Sequence, residues 1–441
     1  MNIYKSLFLG LVCSAGMHCT FAQTTVWNPD NQNGTFTNPI MWGDWPDPDL
    51  IRVDDKFYLV STSMHYVPGC PIAVSEDLVN WEMAGYALDR YDEDPKYDMQ
   101  GGNLYLNGAW ATTIRHHNGK FYVGFCTPYG WGRETGHFSI CIADDVKGPW
   151  ERTIFPEYLY DPGLFFDEDG KVYVVHGQGT LYLTELNSDV KSVKGKPVKI
   201  WQGGFKNAHE LGGGFGMEGS HMYRINGKYY ITCPAGGTGG WQICLRSDNI
   251  YGPYESKIVM AQGKTTINGP HQGGWVDTNT GESWFVHFQD QGAYGRVIHL
   301  NPMKWVNEWP VIGVDKDKDG CGEPVTTYKK PNVGKMYPVT TPPESDEFDT
   351  RHLGLQWQWH ANKQDTYGFT TDLGYIRLYA GSLSKEFVNF WEVPNLLLQK
   401  FPAEEFTATT KLTFTAKQDG EQAGMIVMGW DYSYLSVRKA G

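Results

Sequence analysis

Residues Asp47–Thr62 read DPDLIRVDDKFYLVST: an acidic start, a short apolar run, a polar turn, then aromatic and β-branched residues. This order is typical of a β-hairpin, because turn-forming residues separate two runs that favour strands. Four altered copies follow along the chain, at Ala111–Thr127, Asp161–Gly179, Glu218–Ala235 and Gln272–Asp290. The copies begin about fifty to sixty residues apart, a spacing that indicates the blades of a β-propeller.

Further strand-like sequence follows the hairpins, so we predict four strands per blade and an all-β, five-bladed propeller. In a propeller the innermost strand of each blade lines the central channel, so the five starts are expected to meet at one end of it. Aligned on the residue after each turn, the starts are Asp47, Ala111, Asp161, Glu218 and Gln272. Three of these five residues are carboxylates.

The rest of the chain divides by composition. Residues 1–22 contain an early Lys5, the apolar run LFLGLVCSAGM and the small-residue exit TFA, which resemble a secretory signal peptide and predict a secreted or periplasmic protein. We assign residues 23–335 to the propeller and the Pro- and Thr-rich residues 336–346 to a linker. Residues 347–441 alternate apolar and polar side chains, which predicts a β-sandwich. The final strand-like run predicts that this domain is incomplete at residue 441.

Charge and cysteine usage narrow the function classes. The chain has 37 Lys and Arg against 50 Asp and Glu, a net charge of −13, which argues against nucleic acid and anionic membranes as partners. After the leader no apolar run reaches the roughly 18 residues of a membrane span. Aromatic residues make up 15% of the chain, which suits stacking on sugars and also suits large sheets.

Six cysteines remain beyond the leader, and none forms a CxxC pair, so a zinc site is not expected. Most lie in strand-like runs, where a small buried side chain is the expected role. One or two disulfides stay open for an exported protein.

Three carboxylates in one channel predict acid–base chemistry. Like charges at short range raise the pKa of at least one of them, which supplies a general acid and a general base together. Hydrolysis of a glycosidic bond needs such a pair. The alternative is that Asp47 and Asp161, each followed by Pro, are ordinary turn residues. Asp44 and Asp49 lie outside the repeat register and are weaker candidates.

Three segments carry a family resemblance: WPDPDLIRVDDKFYLVST, YDPGLFFDEDGKVYVVHG and MEGSHMYRINGKYY. They resemble the acidic motifs of glycoside hydrolase family 43, five-bladed propeller enzymes that act by inversion on arabinose- and xylose-containing polysaccharides. The tail resembles the concanavalin-like sandwich of that family's β-xylosidases. The resemblance implies that Asp47 is the general base, that Glu218 is the general acid, and that Asp161 raises the pKa of this acid and orients it.

The resemblance also implies substrate-binding residues. Arg296, in GAYGRVIHL, matches an arginine that holds a sugar hydroxyl or Glu218, and the alternative is a surface arginine on a strand. Trp110 matches an aromatic that shapes the sugar pocket, and the alternative is a core tryptophan.

The fifth blade departs from the family pattern. A histidine, often associated with calcium, is common at this register, but here Gln272 fills it and His271 precedes it. Either a one-residue shift brings His271 to the axis or Gln272 takes its place and contacts substrate. We therefore expect no required cofactor, and a structural calcium ion near His271 is a hypothesis.

The expected function is an exported, inverting glycosidase that releases terminal arabinofuranose or xylose from plant cell-wall polysaccharides or their oligosaccharides. The alternatives are a carbohydrate-binding propeller without catalysis and an endo-acting arabinanase. A retaining fructan hydrolase is disfavoured, because its NDPNG motif is replaced here by PDPDL.

Overall fold

The structure is a computed structural model, and it describes residues 25–130, 134–202, 216–383, 385 and 387–440. The predicted signal peptide, residues 1–22, lies outside the described residues. Five four-stranded antiparallel sheets follow one another along the chain, each with its strands in sequence order. This arrangement confirms the predicted all-β, five-bladed propeller.

The strands of the propeller are bounded as follows. Blade 1 holds β2 (Asp49–Val53), β3 (Lys56–Val60), β4 (Gly69–Ser75) and β5 (Trp81–Leu88), after a short β1 (Thr35–Thr37). Blade 2 holds β6 (Trp110–His117), β7 (Lys120–Pro128), β8 (Gly136–Ala143) and β9 (Glu151–Phe155). Blade 3 holds β10 (Gly163–Phe166), β11 (Val172–His176), β12 (Thr180–Leu186) and β13 (Val198–Gln202). Blade 4 holds β14 (His221–Ile225), β15 (Lys228–Ala235), β16 (Trp241–Ser247) and β17 (Glu255–Ala261). Blade 5 holds β18 (Gly273–Asp277), β19 (Ser283–Asp290), β20 (Arg296–Val306) and β21 (Trp309–Ile312), followed by β22 (Thr327–Lys329).

The remaining elements are short. Beyond the propeller lie β23 (Gln358–Trp359), β24 (Gly368–Thr370), β25 (Ile376–Leu378), β26 (Leu397–Leu398), β27 (Gln422–Val427) and β28 (Ser433–Arg438). The helices of the described residues are all of the 3₁₀ type, at Pro95–Asp98, Gly237–Gly239, Gly292–Tyr294 and Phe390–Glu392. Residues 336–346 contain neither a helix nor a strand.

The turn residues explain why the hairpins form where the sequence predicts them. Asn118 and Gly119 connect β6 to β7 with φ of 49° and 76°, and Asn226 and Gly227 connect β14 to β15 with φ of 50° and 83°. Two successive positive φ angles are what a two-residue hairpin turn of the tightest type requires, and Asn-Gly meets this requirement at low cost.

The innermost strands form a closed ring. β2 contacts β6 and β18, and β10 contacts β6 and β14. Blades 4 and 5 meet through β15 and β18. The pairing of β1 with β22 brings the two ends of the propeller sequence together. All inner strands therefore start at the same end of the channel.

Each pair of adjacent blades shares one apolar core. Five clusters fill the five gaps, as shown by Phe57 with Trp284, Val60 with Ile114, Tyr122 with Leu164, Tyr173 with Ile231, and Tyr230 with Phe285. Burying a large apolar side chain contributes about 1.5–3 kcal/mol. Because every blade is buried on both faces, the blade strands read as nearly continuous apolar runs.

Six cysteines lie in the described residues, and all six are free thiols. Five are buried: Cys70, Cys126, Cys141, Cys233 and Cys244. The strand cysteines thus act as small core side chains, as the sequence predicted.

The C-terminal residues dock against blade 1. The backbone of Trp359 exchanges hydrogen bonds with that of Val67, at 2.6 and 3.0 Å. The side-chain amide of Asn362 bonds both the N–H and the C=O of Tyr91, at 2.9 and 2.6 Å. β23 pairs with β26, β24 with β25, and β27 with β28. The tail is therefore tied to the propeller by specific backbone contacts.

Candidate active site

Every blade supplies one of the predicted residues to the same end of the channel, which we call the mouth. The five residues are Asp47 before β2, Trp110 at the start of β6, Asp161 before β10, Glu218 before β14 and Arg296 at the start of β20. They meet because the inner strands begin at this end and β20 runs in the same direction as β18.

Several interactions show that the acidic side chains share one site. The Arg296 guanidinium lies 2.7 Å from Asp47 Oδ1, and the Glu218 charge also acts on this guanidinium. The Gly219 N–H, next to Glu218, donates to Asp161 Oδ2 at 3.1 Å. The structure therefore brings together residues that are far apart in the sequence.

Asp47 is held as a carboxylate by two donors. Arg296 Nη1 bonds Oδ1 at 2.7 Å, and the Thr62 hydroxyl bonds Oδ2 at 2.9 Å. An adjacent cation and hydrogen bonds both favour the ionised form. The resemblance offered Glu218 or a sugar hydroxyl as the partner of Arg296, whereas the guanidinium pairs with Asp47.

Arg296 is fixed on three sides. Its guanidinium carbon lies 4.6 Å from the centre of the Phe288 ring, and its backbone N–H donates to Asp44 Oδ1 at 3.0 Å. Burial lowers its pKa, but the nearby carboxylates, led by Asp47, outweigh burial and raise the pKa above its ordinary value. Arg296 is therefore a permanent positive charge at the mouth, and the alternative of a surface arginine is wrong.

Glu218 has neighbours of a different kind. Its Oε2 accepts hydrogen bonds from the Gln178 amide at 2.7 Å and from the Tyr160 hydroxyl at 3.3 Å. Both donors are neutral. They orient the carboxyl group without the strong bias toward ionisation that a bonded guanidinium gives Asp47. Gln178 lies in the HGQG run that ends the third repeat, and sequence reasoning did not single it out.

Asp161 acts on the backbone beside Glu218. Its Oδ2 accepts the Gly219 N–H at 3.1 Å, and the residue is 7% exposed. A hydrogen bond to the next residue restricts the direction in which Glu218 can point. This contact is consistent with the orienting role that the resemblance implies for Asp161.

The fourth repeat is displaced by one residue from the predicted register. Asp47, Ala111 and Asp161 share a left-handed backbone, with φ of 49°, 47° and 50°, and in the fourth blade Gly219 has this conformation, with φ of 58°. The fourth hairpin has a two-residue turn like the first, so Gly219 precedes Lys228 by the same distance as Asp47 precedes Lys56. Glu218 therefore precedes the equivalent position and still reaches the mouth.

Gln272 packs against this glycine. A Cβ atom on Gly219 would lie 2.5 Å from Gln272 Oε1, and Gln272 is only 2% exposed. Gly219 is thus required both by its φ and by the neighbouring side chain. Contact between Gln272 and a substrate stays a prediction.

Trp110 lies at the mouth and is partly exposed, which differs from the fully buried tryptophans of the core. Its indole N–H donates to the Leu106 carbonyl at 2.6 Å. This bond fixes the orientation of the ring. A partly exposed, oriented indole suits stacking on a sugar face.

The comparisons with known proteins agree with this site. The model of glycosyl hydrolases family 43 matches residues 36–310, and that of the β-xylosidase C-terminal concanavalin A-like domain matches residues 345–441. The chain belongs to glycosyl hydrolases family 43. It is accordingly a glycoside hydrolase with carbohydrate substrates, and its C-terminal residues belong to a β-sandwich domain, as the sequence predicted.

Several relatives align with this family 43 enzyme over most of its length. A protein of Xylanibacter ruminicola is 38% identical over 93% of this chain and 74% of its own length. A beta-xylosidase of Formosa agariphila is 32% identical over 94% and 76%, and the non-reducing end alpha-L-arabinofuranosidase BoGH43B of Bacteroides ovatus is 31% identical over 91% and 75%. The solved structure of a bifunctional GH43-CE protein of Bacteroides eggerthii has a TM-score of 0.70 and 34% identity, over 82% of this chain and 46% of that one.

His271 does not fit a direct calcium ligand in this family 43 enzyme. Its ring stacks on Phe288 at 4.5 Å, and burial, followed by the charge of Arg296, lowers its pKa to about 3. Calcium prefers several oxygen ligands. Within the described ranges, no group of three or more His, Cys, Asp or Glu side chains is arranged to hold a metal ion. Calcium near the axis stays a prediction, and no step below depends on it.

Asp49, which the sequence ranked below Asp47, has a supporting role deeper in the channel. Its Oδ2 accepts bonds from Thr113 Oγ1 and Ile114 N, both at 2.9 Å, and its carboxylate pairs with Arg115 at 2.5 Å and His221 at 3.2 Å. Burial alone would raise its pKa, but the Arg115 and His221 interactions lower it. Asp49 therefore ties blades 1, 2 and 4 together. The signal for this role was its position two residues after Asp47, because alternate strand residues share one face.

In the portion of the chain that the structure describes, no helix is long and apolar enough to cross a membrane.

Proposed function

We propose that this chain is an exported, inverting glycosidase that removes a terminal arabinofuranose or xylose unit from plant cell-wall polysaccharides or their oligosaccharides. The observation that carries the proposal is the unlike surroundings of Asp47 and Glu218 at one mouth. Asp47 bonds a cation, whereas the hydrogen bonds described for Glu218 come from neutral donors.

This asymmetry supports the assignment of roles. Inversion needs one group that is already a carboxylate, to accept a proton from water, and one that carries a proton to the leaving oxygen. Asp47, bonded to Arg296 and Thr62, suits the base. Glu218, oriented by Gln178 and Tyr160, suits the acid.

In the proposed reaction the carboxyl group of Glu218 donates its proton to the glycosidic oxygen as the bond to the anomeric carbon breaks. Asp47 removes a proton from the water that attacks the opposite face of the sugar. The product has the inverted anomeric configuration. Asp161 keeps Glu218 in place through Gly219, and Arg296 stabilises the negative charge of Asp47 before the proton arrives.

The substrate class is supported by the relatives. One is named a beta-xylosidase and another a non-reducing end alpha-L-arabinofuranosidase. Both names describe pentose removal, so the proposal includes both terminal pentoses and exo action. The leader-like sequence of residues 1–22 supports export.

The experiment is a panel of aryl β-D-xyloside and aryl α-L-arabinofuranoside substrates, with the first-formed product anomer observed by NMR. We expect hydrolysis of at least one substrate with inversion, and near-complete loss of hydrolysis in Glu218→Gln. Retention of configuration, or a Glu218→Gln rate equal to wild type, contradicts the proposal. A Glu405→Gln variant, at an exposed glutamate of the tail, is the matched control.

A further inference from the structure

Two buried histidines meet where the tail docks on the propeller. His65 follows β3 and is 3% exposed, and His360 follows β23 and is 1% exposed. His65 Nε2 lies 3.3 Å from His360 Nδ1, although the residues are 295 positions apart. The reaction proposed above uses neither residue.

The partners of the two rings fix their tautomers. The Leu106 N–H donates to His65 Nδ1 at 3.1 Å, so His65 carries its proton on Nε2 and donates it to His360 Nδ1. His360 then carries its proton on Nε2, which lies 3.1 Å from the Trp391 carbonyl oxygen. Both rings are neutral in this arrangement, and all four ring nitrogens have partners.

Burial supports the neutral state. It lowers the pKa of His65 well below its ordinary value and lowers that of His360 to about 4. Tyr66 and Tyr105 face His65 from the propeller, with ring centres 4.2 and 4.7 Å away. Neutral rings therefore keep the hydrogen-bond directions fixed at ordinary pH.

The chain of bonds continues to the mouth. Leu106, whose N–H is held by His65, uses its carbonyl to accept the indole N–H of Trp110 at 2.6 Å. Leu106 has a φ of 66°, a left-handed conformation that is costly for a branched side chain and needs support from its surroundings. The bond from Leu106 to His65 supplies such support.

We propose that His65 and His360 are positioning residues, which hold Leu106 in its strained conformation and thereby orient Trp110 for the sugar. Through this chain the sandwich domain acts on the sugar pocket by way of Trp391 and His360. The inference rests on the proposed function, because it assumes that Trp110 contacts substrate. It assigns a role in sugar binding to two residues that neither contact the catalytic carboxylates nor reach the mouth themselves.

A matched pair of variants separates this role from simple packing. The shorter side chain in His65→Asn places its oxygen near the position of Nδ1 and can still accept from Leu106, whereas the longer one in His65→Gln can reach toward His360 but not accept from Leu106. Both variants lose the ring contacts equally. We expect kcat/KM to fall roughly three- to tenfold further in His65→Gln than in His65→Asn, mainly through KM, because one neutral hydrogen bond differs between them.

A double-mutant cycle with Trp110→Phe tests whether the effect passes through Trp110. Phe keeps an aromatic face but has no N–H for Leu106. We expect His65→Gln to cost little more in the Trp110→Phe background, whereas fully additive losses overturn the proposal. If the His65 variants do not fold, His360→Asn and His360→Gln give the same comparison, since only Asn retains an acceptor near Nδ1.

The outcomes distinguish the two proposals. If the wild-type enzyme hydrolyses neither aryl xyloside nor aryl arabinofuranoside, the proposed function fails. If the wild type hydrolyses one of them, and folded His65→Gln and His65→Asn have equal KM and kcat, only the positioning role fails. A selective rise of KM in His65→Gln, with its melting temperature equal to that of His65→Asn, supports it.

Discussion

The two sides of the mouth treat their carboxylates differently. On the side of blades 1 and 5, Asp47 bonds the guanidinium of Arg296, whose pKa the surrounding acids hold high. On the side of blades 3 and 4, Glu218 is bonded by the neutral side chains of Gln178 and Tyr160. The same kind of functional group thus lies in a cationic setting on one side and a neutral one on the other.

This difference shows how one site can hold a base and an acid at one pH. A bonded cation stabilises the deprotonated carboxyl group, and neutral donors do so less. The sequence alone supplied the acidic residues but gave no physical reason for choosing the acid. The position of Arg296 supplies that reason. The following predictions test the contrast, from the largest expected effect to the smallest.

Removing the charge on the cationic side has the largest expected effect. Asp47→Asn cannot accept a proton from water, so kcat falls by about 10²- to 10⁴-fold, the usual contribution of a general base. Thr62→Val, which removes one hydrogen bond to Asp47 but leaves Arg296 in place, is the matched control and is expected to lose much less. Steady-state kinetics on an aryl glycoside measures both, and equal losses contradict the assignment of Asp47.

On the neutral side, Asp161 contributes both a charge and a hydrogen bond. Asp161→Asn keeps an oxygen that can accept the Gly219 N–H but removes the charge, whereas Asp161→Ala removes both. We expect kcat to fall in the order wild type, Asn, Ala, with a smaller loss for Asn than for Asp47→Asn. In Asp161→Asn the alkaline limb of the pH–rate profile shifts to lower pH, because a negative charge no longer favours protonated Glu218. Identical profiles for wild type and Asp161→Asn contradict a role for the charge.

The backbone of the neutral side can be tested at Gly219. Gly219→Ala places a Cβ atom 2.5 Å from Gln272 Oε1 at a residue with φ of 58°, so we expect a loss of stability of about 1–3 kcal/mol together with reduced activity. Adding Gln272→Ala relieves the contact but not the backbone strain. Partial recovery of the melting temperature in the double variant is the expected result, and no loss of stability in Gly219→Ala contradicts the geometry.

The smallest expected effect concerns the support of Trp110. The folded pKa of His360 is about 4, below its ordinary value, so the unfolded chain binds more protons between about pH 4 and 6.5. The contribution of neutral His360 to stability is therefore complete above about pH 6.5 and is lost as the pH falls toward 4. We expect the melting temperature to decrease by a few degrees over this range, and by less in His360→Asn. An equal decrease in the variant removes His360 from the explanation.

The sequence predicted the blades and the acidic residues because both are local patterns. Each hairpin carries its own turn and strand signals, and repetition at the blade period converts Asp47, Asp161 and Glu218 into neighbours. The register of the fourth blade was predicted one residue too early, at Glu218, because the alignment did not allow for differing turn lengths.

The remaining features depend on contacts between distant segments. The pairing of Arg296 with Asp47 joins residues 249 positions apart, and the bond between His65 and His360 joins residues 295 apart. No spacing or composition signal specifies such partners, because they follow from the three-dimensional closure of the ring and the docking of the tail. Asp49 could have been identified as a supporting residue from strand alternation with Asp47, since both face the channel.

The most direct test of the account compares leaving groups in two variants. A dinitrophenyl glycoside departs without protonation, whereas a phenyl glycoside needs a general acid. If Glu218 is the acid and Asp47 the base, Glu218→Gln loses activity on the phenyl substrate but retains much of it on the dinitrophenyl substrate, and Asp47→Asn loses both. The reverse pattern, with Asp47→Asn sparing the dinitrophenyl substrate and Glu218→Gln losing both, contradicts the assignment.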